Sequence, residues 1–308
     1  MHSSDSPFPC KNTPKGIVFD TGQNAVNTAD KGTGNQLPGL LMESPLHTAL
    51  QEALQNRALF GTPVTDLAER SPSSAPDLFS NDYLSLASDS SLQQSLLGSI
   101  SSCTFGLLGA GGSRLLGGNS PMHAQFEERM KETFGATAAL LCNSGYDANV
   151  ALLSCVPQKG DAVVFDELIH ASTRDGIRAS RTNDAQYAFK HNSMTSFRST
   201  LKVVLQQHPN IPQGKGTVFI AVESLYSMDG DFAPLTEIVE LVDELIPKGC
   251  FHIIVDEAHS TGVYGTGGRG IVSMLGLSDR VQTVVHTFGK ARAFSGGKLR
   301  FLEFVQPT

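Results

Sequence analysis

The stretch FHIIVDEAHSTG, residues 251–262, joins an apolar run to a polar turn. Its first half, residues 251–256, has the length and the β-branched content of a buried strand. The turn that follows presents Asp256 and His259. In open parallel sheets, ligands bind beyond the carboxyl ends of the strands, where such polar side chains collect. This stretch therefore predicts an α/β fold with a site at the strand ends.

The same pattern recurs on both sides of this stretch. Short apolar runs alternate with helix-compatible segments, which predicts a mostly parallel sheet flanked by crossover helices. The predicted strands are residues 138–142, 161–165, 217–223, 251–256 and 282–286. The predicted helices between them include residues 123–135, 197–208 and 235–247. No internal repeat of solenoid length is visible, so the fold is expected to be a single wound sheet.

The ends of the chain differ from this pattern. Residues 1–43 are rich in Gly, Asn, Thr, Pro and Ser, which predicts a poorly ordered leader. From Pro45, leucines at every fourth position predict an amphipathic helix ending near Gly61, which together with a linker makes up residues 44–76. The large domain is then expected to span residues 77–296. Residues 297–308 form an atypical tail.

Composition excludes several classes of function. The chain has 308 residues, 40% of them hydrophobic, with 23 basic and 30 acidic residues for a net charge of -7. This balance provides no basic field for nucleic acid or an anionic membrane. The 5 cysteines show no metal-ligand spacing, so no metal site and a reducing compartment are expected. No run reaches the roughly 18 apolar residues of a membrane span, and the polar N-terminus lacks a signal core, which predicts a cytoplasmic location.

Two side chains at predicted strand ends carry the chemistry. Lys290 lies in HTFGKARAFSGG, residues 286–297, just after an apolar run. It is either a solvated loop lysine or a desolvated amine that forms a Schiff base with an aldehyde. Asp256 is either the cap of the next turn or a carboxylate that holds a cationic heteroaromatic nitrogen.

Further groups complete the pattern. In CNSGYDANVALL, Ser144 and Gly145 open a helix after a strand, where backbone N–H groups and the helix dipole bind phosphate; the alternative is an ordinary capped helix. His170 in DELIHAST offers a flat ring. A pyridoxal 5'-phosphate site needs an amine, a carboxylate, a phosphate cradle and a flat group over the ring. Lys290, Asp256, the segment 144–146 and His170 supply them together.

In chain order, a set of motifs resembles the α-oxoamine synthases, pyridoxal-phosphate enzymes of the type I aminotransferase fold, with the biotin-synthesis branch as the nearest pattern. The motifs are SNDYLSL (80–86), GAGGSRLLGGNSPMH (109–123), NSGYDAN (143–149), DELIHAS (166–172), ESLYSMDGD (223–231), VDEAHSTGVYGTGGRG (255–270) and HTFGK (286–290). The resemblance implies a type I aminotransferase-like large domain.

The resemblance implies roles for the catalytic residues. Lys290 would form the Schiff base with the cofactor and later act as a base. Asp256 would pair with the pyridinium nitrogen, and His170 would stack on the ring and meet the substrate carboxylate. Cofactor contacts follow in the same way: His259 and Ser227 lie near the ring hydroxyl. The resemblance also implies that Gly145, Tyr146 and Thr287, beside Ser144, would contact the phosphate.

The activity implied by the resemblance joins an amino acid to an acyl-CoA, with release of CoA and loss of the carboxylate, to give an α-amino ketone. In the biotin-synthesis branch the substrates are L-alanine and a pimeloyl thioester. Related branches use glycine or serine, as in aminolevulinate synthase, glycine C-acetyltransferase and serine palmitoyltransferase. A homodimer with the site at its interface is expected. A cofactor-binding subunit without turnover remains the alternative from another class.

The sequence departs from the family pattern after Gly297. Family members continue into a sheet strand and a smaller C-terminal domain that supplies an arginine for the substrate carboxylate. Here the text becomes KLRFLEFVQPT, residues 298–308. We therefore expect the C-terminal small domain to be missing, because the chain is either a truncated or misread product or a short homologue without turnover.

Overall fold

The computed structural model describes residues 44–59, 77–102 and 110–301. The chain divides near residue 74 into two units. The first unit contains helix α1 (Pro45–Leu59), which begins where the leucine spacing predicts a helix. The leader at residues 1–43 and the linker at residues 60–76 lie outside the described ranges.

The second unit is built on one sheet. Its strands are β1 (Ala138–Cys142), β2 (Ala162–Asp166), β3 (Gln186–Phe189), β4 (Val218–Glu223), β5 (Phe251–Asp256), β6 (Thr283–Thr287) and β7 (Gly297–Phe301). They lie in the order β1-β7-β6-β5-β4-β2-β3. Strand β7 is antiparallel to β1 and β6, and the other neighbours pair in parallel. The predicted mostly parallel sheet is confirmed.

Helices flank this sheet. They are α2 (Ser90–Ser102), α3 (Pro121–Phe134), α4 (Gly145–Cys155), α5 (Ala171–Arg178), α6 (Met194–Gln207), α7 (Leu235–Leu245) and α8 (Ile271–Met274). The start of α3 shows why a helix begins where it does. Ser120 accepts the backbone N–H of His123, the His123 side chain accepts the N–H of Ser120, and Pro121 occupies the first turn.

The core lies on both faces of the sheet. Val163 and Phe219 belong to one buried cluster, together with residues of α4 and α5. Their neighbours Val164 and Ile220 belong to the other cluster, with residues of α6 and α7. Successive strand residues point to opposite faces, so strands covered on both sides must be apolar throughout. All six residues of β4 are buried, and the first five of them, residues 218–222, are apolar.

Strand β7 differs from the expectation, which places residues 297–301 in an atypical tail. These residues lie in the sheet between β1 and β6, while residues 302–308 are outside the described ranges. Lys298 and Arg300 interrupt the apolar pattern, although both side chains are buried. The ammonium of Lys298 lies 3.7 Å from the centre of the Phe134 ring, a cation–π contact that compensates part of its desolvation.

The parallel strands bring their carboxyl ends to one edge. Strands β2, β4, β5 and β6 end at Asp166, Glu223, Asp256 and Thr287. Helix α4 begins at Gly145. The residue before it, Ser144, forms a β-bridge with Gly296 next to the start of β7, so the helix start lies at the same edge. This edge carries the functional groups described next.

Candidate functional site

A cleft of about 270 Å³ opens at this edge of the sheet. Most of the predicted site residues line it: Ser144, Gly145, Tyr146, His170, Asp256, His259, Thr287 and Lys290. The structure adds residues that the sequence reading did not single out: Asn81, Asn149, Ser172, Glu223, Ala258 and Gly289. Residues from distant parts of the sequence therefore share one polar cavity.

Lys290 lies just after β6 and is partly buried. Its Nζ lies 2.7 Å from Nε2 of His259. Burial lowers the pKa of the Lys290 amine, and the negative charge of Asp256 offsets part of this effect; Glu223 adds to the offset only when it is ionised. The sequence leaves two interpretations of Lys290. A solvated loop lysine does not agree with this partly buried position.

His259 connects Lys290 to a residue of the SNDYLSL motif. Its Nδ1 lies 2.7 Å from the hydroxyl of Tyr83, which donates to Oδ1 of Asn81 at 3.0 Å. Burial lowers the pKa of His259 to about 4, and the nearby charges of Lys290 and His170 act in the same direction. The imidazole is therefore neutral at physiological pH. A neutral ring can accept a hydrogen bond from the lysine at Nε2.

Asp256 is 6% exposed at the end of β5. Its Oδ2 accepts from Nδ2 of Asn149 at 2.7 Å, and its Oδ1 accepts from the backbone N–H of Ala258 at 2.8 Å. Both donors are neutral, so the two bonds orient the carboxylate without cancelling a charge. Asn149 also donates to Oγ of Ser172 at 3.0 Å, which ties α4 to α5.

Glu223 is the second buried carboxyl group of the cleft, 4% exposed at the end of β4. Burial, followed by repulsion from Asp256, raises the pKa of Glu223 to about 8. Its Oε1 accepts the backbone N–H of His170 at 2.7 Å. The sequence signal for this residue was its position as the last residue of an apolar run. Its depth and its partner could not be read from that position.

His170 caps helix α5. Its Nδ1 accepts the backbone N–H of Ser172 at 3.2 Å and lies 2.7 Å from the Ser172 hydroxyl. The ring meets the Tyr146 ring edge to face, with centroids 6.0 Å apart. Tyr146 in turn donates a hydrogen bond to Asp175 of the same helix. These contacts hold the flat imidazole at the wall of the cleft.

The N-terminus of α4 also lines the cleft. Ser144 caps the helix, since its Oγ accepts the N–H of Asp147 at 2.9 Å. Gly145 lies so close to Thr287 that an added Cβ would be 3.0 Å from the Thr287 Cβ. Glycine lets the helix start approach β6 without this tight contact, and the N–H groups of the first turn with the helix dipole favour an anion here.

Ser227 is placed differently from the other predicted residues. It is exposed in the turn after β4 and is not among the residues that line the cleft. The alternation of apolar runs does not fix how far a turn extends from a strand end, so its contact to a cofactor hydroxyl stays a prediction.

Among residues 44–59, 77–102 and 110–301, no helix has the length and apolarity needed to cross a membrane.

Known proteins are similar to this chain in sequence. The model of the aminotransferase class I and II family matches residues 76–299. The 8-amino-7-oxononanoate synthase of Emericella nidulans is 45% identical over 254 residues, which cover 82% of this chain and 60% of that protein. The aminoacyl transferase sphA of Aspergillus fumigatus is 41% identical over 222 residues, which cover 72% of this chain and 47% of that protein. The chain thus spans between 47% and 60% of the lengths of these two relatives.

Solved structures agree. The serine palmitoyltransferase of Sphingomonas wittichii has a TM-score of 0.68 at 26% identity, covering 85% of this chain and 64% of that one. A serine palmitoyltransferase variant of S. paucimobilis with bound PLP-myriocin aldimine also has a TM-score of 0.68, at 27% identity, with 85% and 66% covered. The fold is that of the type I aminotransferases. From the family match and from this fold, the chain belongs to the aminotransferase class I and II family.

Proposed function

We propose that this chain binds pyridoxal 5'-phosphate in the cleft and serves the condensation of an amino acid with an acyl-CoA, with decarboxylation to an α-amino ketone. The observation that carries the proposal is one pair of groups in one cavity. Lys290 has a pKa lowered mainly by burial, and Asp256 is a buried carboxylate whose charge acts on that amine. An aldehyde cofactor with a pyridine ring requires this combination.

The residues present fit the phosphate end of the cofactor. The approach of Gly145 to Thr287 leaves the first N–H groups of α4 open to an anion, and the Ser144 cap fixes the helix start. Thr287 Oγ1 also accepts the backbone N–H of Gly289 at 3.4 Å, a long bond that leaves the hydroxyl free to turn. These groups would hold the phosphate.

The residues also fit the ring. Asp256 accepts only neutral donors, so its charge is available to a pyridinium nitrogen. Oδ1 of Asn149, a buried atom at the same cleft, has no hydrogen-bond partner within the described part of the chain. Buried acceptors normally have donors, and a bound polar group would supply one. His170 would lie against the ring face.

Bound pyridoxal 5'-phosphate supplies an electron sink for negative charge at the α-carbon of the amino acid. The lowered pKa of Lys290 favours a neutral amine, which would bond to the cofactor aldehyde with loss of water and, when free again, would accept the α-proton. Neutral His259 takes a hydrogen bond from the same amine. Glu223, with a pKa of about 8, keeps its proton at neutral pH, so it adds no second negative charge beside Asp256.

The substrates that we propose are L-alanine and pimeloyl-CoA, as in the biotin-synthesis branch. The support is the 45% identity to a protein named 8-amino-7-oxononanoate synthase. Serine with palmitoyl-CoA is the second candidate, favoured by the structural similarity to serine palmitoyltransferase. We further propose a cytoplasmic homodimer. A cofactor-binding subunit without turnover is the alternative outside enzyme function.

Cofactor binding is tested by the visible absorption of purified protein titrated with pyridoxal 5'-phosphate. We expect an imine band in the wild type and none in Lys290→Ala. Lys202→Ala is the control, because Lys202 is an exposed lysine on α6. A band that persists in Lys290→Ala but disappears in the control would remove the assignment of Lys290.

Turnover is tested by release of CoA thiol. We expect release with L-alanine and pimeloyl-CoA and little with serine and palmitoyl-CoA. The reverse result would move the chain to the serine branch. An imine band with no thiol release from either pair would instead support a cofactor-binding subunit.

A further inference from the structure

His191, which follows β3, bridges two carboxylates. Its Nδ1 lies 2.8 Å from Oδ1 of Asp166, and its Nε2 lies 3.0 Å from Oδ2 of Asp231. An ionised carboxylate only accepts hydrogen bonds, whereas a neutral imidazole has one N–H to donate. Both bonds can form together only when His191 carries a proton on each ring nitrogen. The geometry therefore favours the imidazolium.

The groups around His191 are mostly negative. Glu167 accepts the backbone N–H of His191 at 3.1 Å, and Lys190 pairs with Glu167 at 3.0 Å. A carboxylate oxygen of Asp229 lies within 4.8 Å of a carboxylate oxygen of Asp231 and of a ring nitrogen of His191. The ring of Tyr226 packs edge on, with centroids 4.6 Å apart, and adds no positive charge.

These surroundings decide the direction in which the pKa of His191 shifts. Burial by itself lowers the pKa of His191, but the hydrogen bonds and charges of Asp166 and Asp231 outweigh it, so the pKa is raised above 6.5. The direction agrees with the geometry.

Asn192 strengthens the same link. It adopts a left-handed backbone conformation with φ of 50°, which asparagine tolerates better than most residues. In this conformation its Nδ2 donates to Oδ2 of Asp231 at 2.7 Å, and its backbone N–H donates to Oδ2 of Asp166 at 3.0 Å. Two successive residues thus hold the same pair of carboxylates.

The two carboxylates belong to segments that the site uses. Asp166 starts the loop to His170, and its Oδ1 accepts the N–H of Leu168 at 2.8 Å. Asp231 closes the turn that contains Ser227, since its backbone carbonyl accepts the N–H of Tyr226 at 3.0 Å. A link between Asp166 and Asp231 is therefore a link between the His170 loop and the Ser227 turn.

We propose that His191 is a positioning residue which, as an imidazolium, fixes the Ser227 turn against the His170 loop; the use of both segments for the cofactor rests on the proposed function. Below the unfolded pKa near 6.5, the stabilisation from this clamp is fully present. It is lost as the pH rises through the raised folded pKa, because one of the two bonds then disappears. The turn with Ser227 should loosen over that range.

The clamp itself is tested by NMR titration of the histidine ring signals in the cofactor-free protein. We expect His191 to titrate above 6.5, and Asp231→Asn to lower its pKa by about one unit or more. Asp229→Asn is the matched control, because it removes one charge from the same turn without removing a bond to the ring; we expect a smaller shift. A His191 pKa at or below 6.5, equal shifts in both variants, or a His191 signal changed by EDTA, which would indicate a bound metal, would each overturn the clamp.

The positioning role is tested by the affinity for pyridoxal 5'-phosphate across the same pH range. We expect wild-type affinity to fall through the pKa found for His191, and Asp231→Asn to bind about tenfold more weakly below it, without that step. Asp229→Asn should bind as the wild type does. Absence of cofactor binding in the wild type would remove the proposed function and leave the NMR test of the clamp intact. Wild-type affinity in an Asp231→Asn variant whose His191 pKa has fallen would overturn the positioning role alone.

Discussion

Asn149 on α4 donates a hydrogen bond of 2.7 Å to Oδ2 of Asp256 at the end of β5. The amide thereby orients a buried carboxylate across a sequence separation of 107 residues. Because Asp256 is 6% exposed, water is a poor substitute for this donor. Through this bond Asn149, whose amide neither titrates nor acts as a nucleophile, becomes part of the candidate site.

Asn149→Ala should lower the free energy of unfolding by about 1–3 kcal/mol, because it leaves a buried carboxylate without one of its donors. Urea denaturation of the cofactor-free protein measures the change. Asn143→Ala, at an exposed position two residues before α4, serves as the control and should stay within about 0.5 kcal/mol of the wild type. Equal effects of the two variants would show that the bond to Asp256 contributes nothing.

Glu223→Gln should change the pH dependence of stability. Because the folded pKa is raised from 4.5 to about 8, the native state keeps a proton that the unfolded chain has lost. Stability from this group is therefore greatest below the unfolded pKa and falls as the pH rises toward the folded one, by up to about 1.4 kcal/mol per pH unit. Glutamine keeps the acceptor for the His170 N–H and removes the titration.

The measurement is urea unfolding of both proteins at several pH values between those two pKa values. The variant should gain stability relative to the wild type as the pH rises. Glu237→Gln, at an exposed position on α7, is the control, and its free energy of unfolding should change with pH as that of the wild type does. A Glu223→Gln curve that is also parallel would mean that Glu223 is ionised in the folded protein.

Gly145→Ala should weaken the binding of pyridoxal 5'-phosphate by about tenfold or more, because the new methyl group meets Thr287 at 3.0 Å and displaces the start of α4. Titration followed by absorption measures the dissociation constant. Gly98→Ala is the control: this glycine lies in α2 with nothing within 4 Å of an added Cβ, so the change should leave affinity unaltered. Unchanged affinity in Gly145→Ala would argue against phosphate at this helix start.

Leu153→Ala should cost about 2–5 kcal/mol of unfolding free energy, because this α4 side chain is fully buried between the helix and the sheet. Chemical denaturation measures the loss. Leu97→Ala on α2 changes a side chain that is 63% exposed and should cost no more than about 0.5 kcal/mol. A small effect at Leu153 would contradict the packing of α4 on the sheet.

The sequence predicts the central strands well for a physical reason. A strand covered on both faces is apolar along most of its length, so β4 and β5 appear as mainly apolar runs with boundaries within one residue. It fails at β7, where Lys298 and Arg300 are buried through a cation–π contact and backbone carbonyls that no local pattern announces. An apolar pattern therefore predicts strands whose buried side chains are hydrocarbon and misses strands whose buried side chains are charged.

The site was predictable to the extent that its residues stand at strand ends. Lys290, Asp256 and Thr287 do so, and all three line the cleft. Glu223 stands at a strand end too, but only its burial and its place beside Asp256 on the next strand explain a raised pKa and a retained proton. Asn149 closes the NSGYDAN motif, but its bond to Asp256 could not be predicted, because that bond depends on which helix face meets which strand.

The place of β7 in the sheet bears on how the chain is made. Thr137, just before β1, bonds to the carbonyl of Phe301, a residue 164 positions later. In the described sheet β1 pairs with β7 alone, so it has no neighbour until that last strand has left the ribosome. Closing so long a loop is slow, and the exposed edge of β1 meanwhile invites pairing with other chains. In this sheet β1 can therefore complete its pairing only after synthesis has passed residue 301.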